Sequence, residues 1–236
     1  MKTSLTRREL EDYVSSQLNV FFPDPHHVDL RDYPQAVKLA LQRLDYCFMH
    51  SALRHYCANG ETIFNHLYSD HYVMFLWFLS NTVWREYGPT PVADKLYGLN
   101  KYLHGLDCTF TTGLPDVFFL FHTVGTVLGK ATYGNFFVAS HGCTIGSHNG
   151  MYPTMGVGVA LTAHASIIGG CTIGDRVSIG SNTAIFKRDI PDDTTVYRDE
   201  AGAIISRRAD VCYAQRLLTV DLQQAPTART QSAAER

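Results

Sequence analysis

From Phe121 onward every sixth residue is apolar: Phe121, Val127, Tyr133, Ala139 and Ile145, then, after one interruption, Met155, Leu161, Ile167, Ile173, Ile179 and Ile185. A second column four residues on carries small or β-branched side chains, including Ala131, Cys143, Val159, Ala165, Cys171, Val177 and Thr183. Glycine follows the apolar residue at 146, 156, 174 and 180. A period of six matches neither the 3.6 of an amphipathic helix nor the alternation of a half-buried hairpin. It suits a parallel β-solenoid, in which each hexad is one short strand plus a turn and three hexads close a triangular coil. The apolar column would point inward and the small column would fit the corners. The hexads amount to nearly four coils, enough for a continuous core. The interruption, Ser147 to Thr154 (SHNGMYPT), adds residues to one turn and is expected to bulge out as a loop, and Pro191 is expected to end the last coil.

Upstream of Gly105 the pattern is helical. A segment Thr6 to Leu18 is followed by Pro34 to Cys57, whose Val37, Leu41, Leu44, Phe48 and Ala52 form one stripe at gaps of three and four. Proline suits the first turn and Asn59-Gly60 is a stop signal. A third helix is expected from Ser69-Asp70, read as its cap, through YVMFLWFLSNTVWREY to Gly88-Pro89. It is apolar nearly all round, so it should be buried, and between subunits is one place for it. A fourth runs from about Pro91 to His104. The resulting division is a helical domain over 1–105, a solenoid over 106–196 and a partly disordered C-terminal extension over 197–236, with VDLQQAPTARTQSAAER as the disordered tail.

Composition narrows the function classes. Lys and Arg number 20 against 22 Asp and Glu, so the basic surplus that nucleic acids or anionic membranes require is missing, and neither is an expected partner. The densest apolar run, Tyr72 to Leu79, is far shorter than the roughly 18 residues of a membrane helix. The opening MKTSLTRREL has no apolar signal core, and the six cysteines form no CxxC pair, which reads as reduced thiols in a cytoplasmic protein.

Residues Leu99 to Val196 resemble the hexapeptide-repeat acyltransferases, and within that class they look most like the serine acetyltransferase family. The resemblance implies an α+β chain, a helical N-terminal domain followed by a left-handed parallel β-helix. It implies a catalytic pair of His122, in FHTVGTVLG, and Asp107, in HGLDC. The chemistry agrees: moving an acetyl group from a thioester to a hydroxyl needs a base near neutral pH, and a carboxylate on the far ring nitrogen would fix the imidazole tautomer. By the same register His141, in VASHGCTIG, stands where the family has a glutamine, and is either a second polar group of the cleft or itself the base. Tyr152 replaces an acceptor-site histidine. The family lays coenzyme A along the outside of the coils, and the matching small residues here are Ser147, Ala163 and Ser181. Lys187 and Arg188 follow the last full hexad and would meet its phosphates. The family's closing motif is replaced by TTVYRDEAG. Acetyl-CoA is therefore the expected co-substrate, no metal is expected, and the assembly implied is a homotrimer or a dimer of trimers. The flat faces of a triangular coil and the apolar helix Tyr72 to Trp84 both point to such an assembly.

Two departures bear on the acceptor. Phe121 and Met151 stand where the family carries an acid and a base for the two charges of serine, and losing both would cost serine several kcal/mol. A saccharide hydroxyl is thus the expected acceptor, with Phe121, His141 and Tyr152 as acceptor-binding residues and serine as the alternative. Two further readings have weaker support: a zinc enzyme of the γ-carbonic anhydrase kind, using His122, His141 and His164 roughly one coil apart, and a non-catalytic scaffold. Cys143 and Cys171 read as core packing.

Overall fold

The computed structural model describes residues 1–226. Four helices come first: α1 (Arg7–Phe21), α2 (Pro34–Met49), α3 (Ser69–Tyr87) and α4 (Pro91–His104). Thr6 and Glu9 close a reciprocal capping box on α1, Pro34 opens α2, and Gly105, at φ 64°, ends α4 in the left-handed conformation that glycine adopts without penalty. The stripe that continued to Cys57 overruns α2, because beyond Met49 the chain turns to pair its backbone with the C-terminal segment: Ala52 N–H donates to Leu217 O at 2.9 Å and Ser51 bridges Leu218. Asp70 does not cap α3. The cap position is Tyr68, without a side-chain hydrogen bond, and Asp70 points elsewhere.

Every residue of α3 from Asp70 to Val83 is buried within the one chain. The helix is packed between α2 and α4 and lies over the first solenoid coil, where Phe118 meets Trp77 and Phe78 with ring centroids 5.2 and 5.1 Å apart. A subunit interface is therefore not needed to cover it, and that ground for an oligomer is withdrawn.

The solenoid starts at Leu106 and has two parallel sheets five strands deep. One stacks Leu106–Asp107, Thr126–Leu128, Thr144–Gly146, Ser166–Ile168 and Ala184–Phe186, and the other Phe118–Leu120, Phe137–Ala139, Ala160–Leu161, Ser178–Ile179 and Thr194–Arg198. Thr154–Met155 and Thr172–Ile173 form the third side. There are about five turns, more than the hexads alone suggested, because a coil precedes the repeat and Thr194–Arg198 continues it past Pro191. The inward column from Tyr133 to Ile185 is buried. In the first coil the frame slips by one residue: Leu120 pairs with Ala139 and Leu128 with Ile145, so Leu120 and Leu128 point inward. Val127 is left 39% exposed and Phe121 turns away from the solenoid axis. The interruption is a tight hairpin with His148 and Met151 bridged around Asn149-Gly150, both at positive φ, the signature of a two-residue turn matched to the strand twist.

The C-terminal extension is ordered to the end of the described residues. Ile204–Arg208 pairs antiparallel with Thr194–Arg198, a short 3₁₀ turn spans Ala214–Leu217, and Leu218 and Leu222 are buried. Disorder expected of residues 220–226 is thus not found, and the remainder of that tail lies outside the described residues.

Successive coils touch most closely at Gly134, where an added Cβ would collide with the Gly156 carbonyl of the next coil. Backbone cannot yield there without opening the stack. Gly134→Ala is expected to destabilise the fold by about 1–3 kcal/mol, read as a lower urea midpoint at unchanged slope; an unchanged midpoint would contradict that packing.

Candidate active site

His122 sits at the corner between the first coil's two strands, at φ 53°, a left-handed conformation that solenoid residues such as His164 and Asn182 also adopt. Beside it lies Asp70. Its Oδ1 accepts the His122 backbone N–H at 2.8 Å, and its Oδ2 lies 3.4 Å from the ring Nδ1. The carboxylate side chain is 4% exposed and the imidazole 74%, so a buried anion backs an open ring. With Nδ1 turned to the carboxylate, Nε2 is the nitrogen available for chemistry. Oδ2 itself has no hydrogen-bond partner.

In front of this pair is a cavity of about 250 Å³, lined by Leu53, His55, Tyr68, Asp70, Phe121, His122, Ser140, Tyr213 and Leu217. Phe121 is a wall residue because of the frame slip, its ring stacked on Phe119. Behind Asp70 lies a box of aromatic rings: His71 packs against Tyr56 and Tyr68 at centroid distances of 4.5 and 4.6 Å. The His71 Nδ1 accepts the Asn65 N–H at 3.2 Å, which leaves the ring proton on Nε2. Burial, aided by neighbouring His55, pushes the His71 pKa down to about 4. Burial first and the Asp70 anion second raise Tyr56 well above the ordinary phenol range.

Asp107 is not joined to His122 by any hydrogen bond or ion pair among the described residues. Its carboxylate accepts from Tyr97 Oη at 2.6 Å and pairs with Lys101 Nζ at 2.7 Å, both on α4, and these contacts, Lys101 foremost, hold its pKa below the usual range. The place expected of Asp107 beside the imidazole is taken by Asp70, from the helical domain. In the sequence Asp70 is the sole charge in the run Ser69 to Trp84, read as the cap of α3 and, with Arg85, as a helical-domain charge able to reach the cleft.

The other expected site residues fall into groups. Backbone hydrogen bonds from Gly142 to Val124, from His164 to His141 and from Asn182 to Ala163 stack one corner of the solenoid. Val124, His141, Ala163 and Ser181 therefore follow one another up that edge, and His122 lies two residues before Val124 at its foot. Ser147, Lys187 and Arg188 lie at the other ends of the same sheet's strands, exposed. His141 packs edge-on against His164 with centroids 5.0 Å apart. Tyr152 is exposed in the hairpin, 5.3 Å from Lys130 Nζ. Neither His141 nor Tyr152 lines the His122 cavity in this chain. Cys143 and Cys171 are buried in the core, their thiols donating to backbone carbonyls. No group of three or more His, Cys, Asp or Glu side chains arranged to hold a metal ion occurs among the described residues, and no helix there is long and apolar enough to cross a membrane.

A helical domain on a parallel solenoid is the architecture of serine acetyltransferase structures, and the chain resembles the hexapeptide-repeat acyltransferases. No family model matches the chain. Within the class the chain is serine acetyltransferase-like. It is 28% identical over 122 residues to the serine acetyltransferase of Helicobacter pylori strain 26695, a match covering 50% of this chain and 71% of that protein. Its fold matches a crystal structure of the Neisseria gonorrhoeae serine acetyltransferase at a TM-score of 0.63 and 21% identity, over 86% of this chain and 81% of that one. A serine acetyltransferase solved as a complex with CoA matches at 0.60 and 17% identity, over 81% and 82% of the two chains.

His104, at the end of α4, is also buried, and burial lowers its pKa to about 4. For His71 and His104 the unfolded chain takes up a proton near 6.5 and the folded chain only near 4. Stability present above pH 6.5 should therefore be lost as the pH falls toward 4, by at most about 3 kcal/mol per histidine. Thermal melts between pH 7 and 4.5 should show Tm falling, and less steeply in His104→Gln. A flat profile would contradict the neutral buried rings.

Proposed function

We propose that the chain is an acetyl-CoA-dependent O-acetyltransferase with His122 as general base, acting on the hydroxyl of a small acceptor of serine's kind. The observation that carries this reading is the Asp70 carboxylate at His122. In the reaction, Nε2 of His122 takes the acceptor's hydroxyl proton as the oxygen attacks the thioester carbonyl. The tetrahedral intermediate collapses, the C–S bond breaks, and the departing thiolate recovers the proton from the imidazolium. The products are an acetyl ester and free CoA thiol. Asp70 orients the ring and stabilises its cationic form. CoA would run up the edge marked by Ala163 and Ser181 towards Lys187 and Arg188, and this assignment rests on the resemblance.

Asp70 also changes the acceptor argument. The saccharide reading rested on two missing charges, and Asp70 supplies an anion at the cavity where Phe121 has none. The negative charge of Asp70, which lines the cavity, would favour an ammonium beside the reacting hydroxyl while Oδ2 stays turned to the imidazole. The names of the relatives favour serine as well. One observation keeps the saccharide as a second reading: among the described residues no Lys or Arg lines the cavity to receive a carboxylate. The exposed Val124, Val127 and Phe186 beside the solenoid sheet support packing against further copies, a trimer or a dimer of trimers. The free thiols support a reducing, cytoplasmic setting.

His122→Ala should lower kcat by about two to four orders of magnitude with little change in acetyl-CoA KM. Near-normal turnover in that variant, with loss in His141→Ala, would move the base to His141. In competition kinetics serine should reach a kcat/KM of about 10⁴ M⁻¹s⁻¹ or more and exceed sugars and nucleotide sugars at least tenfold. The reverse order would restore the saccharide reading.

A further inference from the structure

The described chain beyond the solenoid returns across it to the helical domain. Ala209 N–H donates to Asp193 O, and Tyr213 N–H donates to the Ser178 hydroxyl at 2.8 Å, which fastens the segment to the outer face of the sheet that contains Ser178–Ile179. Ala214 is fully buried. Past the 3₁₀ turn, Leu217 O accepts from Ala52 N–H, and Thr219 N–H donates to His50 O, each at 2.9 Å. Gln215 then closes the strap on itself, donating to Val220 O and accepting from Leu222 N–H, each at 2.8 Å. The strap is thus anchored at the solenoid and at the end of α2, and Tyr213 and Leu217 lie between the anchors.

Both residues line the His122 cavity, together with Leu53 and His55 from the segment after α2, Tyr68 and Asp70 at the start of α3, and Phe121, His122 and Ser140 from the first two coils. At about 250 Å³ the cavity is smaller than the roughly 300–1,000 Å³ of clefts that take drug-sized ligands. Removing the strap's two side chains would leave it open on that side. We infer that Tyr213 and Leu217 are acceptor-specificity residues: the strap is the wall that limits the acceptor to a compact free molecule and excludes the same hydroxyl and amine on a bulkier carrier. This rests on the proposed transfer to a hydroxyl at His122.

The wall acts by shape. A side chain removed from an apolar wall changes discrimination between related ligands by about 10–200-fold. It leaves the charge at Asp70 and the base at His122 in place. The cavity that Tyr213 and Leu217 line includes neither Ala163 nor Ser181, so the wall should act on the acceptor more than on CoA.

The test compares L-serine with the dipeptide seryl-glycine, which keeps the hydroxyl and the ammonium and adds bulk. The full-length protein should acetylate serine with a kcat/KM at least 100-fold above that of seryl-glycine. Leu217→Ala and Tyr213→Ala should each narrow that ratio tenfold or more at unchanged acetyl-CoA KM, and Leu217→Trp should depress serine turnover by filling the cavity. Melting curves identify a variant that has not folded, and the remaining ones then carry the test. A ratio within twofold of wild type in the folded variants would overturn the wall while leaving the reaction intact. Failure of the wild-type chain to acetylate either compound would overturn the reading of the reaction on small amino acids, and this inference with it.

Discussion

A carboxylate placed in an apolar interior needs a partner, and for Asp70 the partner is His122. The side chain rides on the first turn of α3, a helix otherwise submerged among α2, α4 and the first coil. Its position is set by the burial of Trp77, Phe78 and their neighbours, far more than by its own polar contacts. The described contacts of Asp70 are the His122 backbone N–H and the imidazole. Leaving such an anion without that partner would cost about 3–5 kcal/mol, so the docking of the helical domain on the solenoid and the conformation of His122 stand or fall together. The geometry of the Asp70–His122 pair is a property of the interface between two parts of one chain.

The solenoid contributes rigidity on the other side. Each coil hydrogen-bonds to the next through parallel strands, and the inward column from Tyr133 to Ile185 leaves no space for a coil to rotate. His122 therefore has fixed neighbours above it, in Ser140 and His141, and the corner it occupies continues as an edge along which an extended co-substrate can lie. The strap adds a third fixed wall. An imidazole that is exposed while its surroundings are held suits the proposed reaction, which must bring two substrates to one ring.

The repeat was readable because the inward column depends only on local spacing, and it failed where the spacing slipped: Phe121 fits the period yet faces the cavity, since Leu120 takes the inward place beside Ala139. His122 was singled out by its motif, and its role as base belongs to the proposed function. Its pairing with Asp70 was not legible, because the two lie 52 residues apart across the domain boundary, and helical periodicity reports only that the position is buried. Sequence distance to His122 likewise says nothing of Lys101 and Tyr97, which bind the Asp107 carboxylate from α4. The strap was hidden by polar composition; its order comes from backbone pairing with His50, Ser51 and Ala52 and from two buried leucines, Leu218 and Leu222.

The central claim, that the carboxylate serving His122 comes from the helical domain, separates two isosteric variants. Steady-state kcat should be measured for Asp70→Asn and Asp107→Asn, with melting curves to confirm that both are folded. Asp70→Asn is expected to lose about two to four orders of magnitude in kcat, as when the orienting carboxylate of a catalytic histidine is neutralised, and Asp107→Asn less than about fivefold. A large loss in Asp107→Asn beside near-normal turnover in Asp70→Asn would contradict the account.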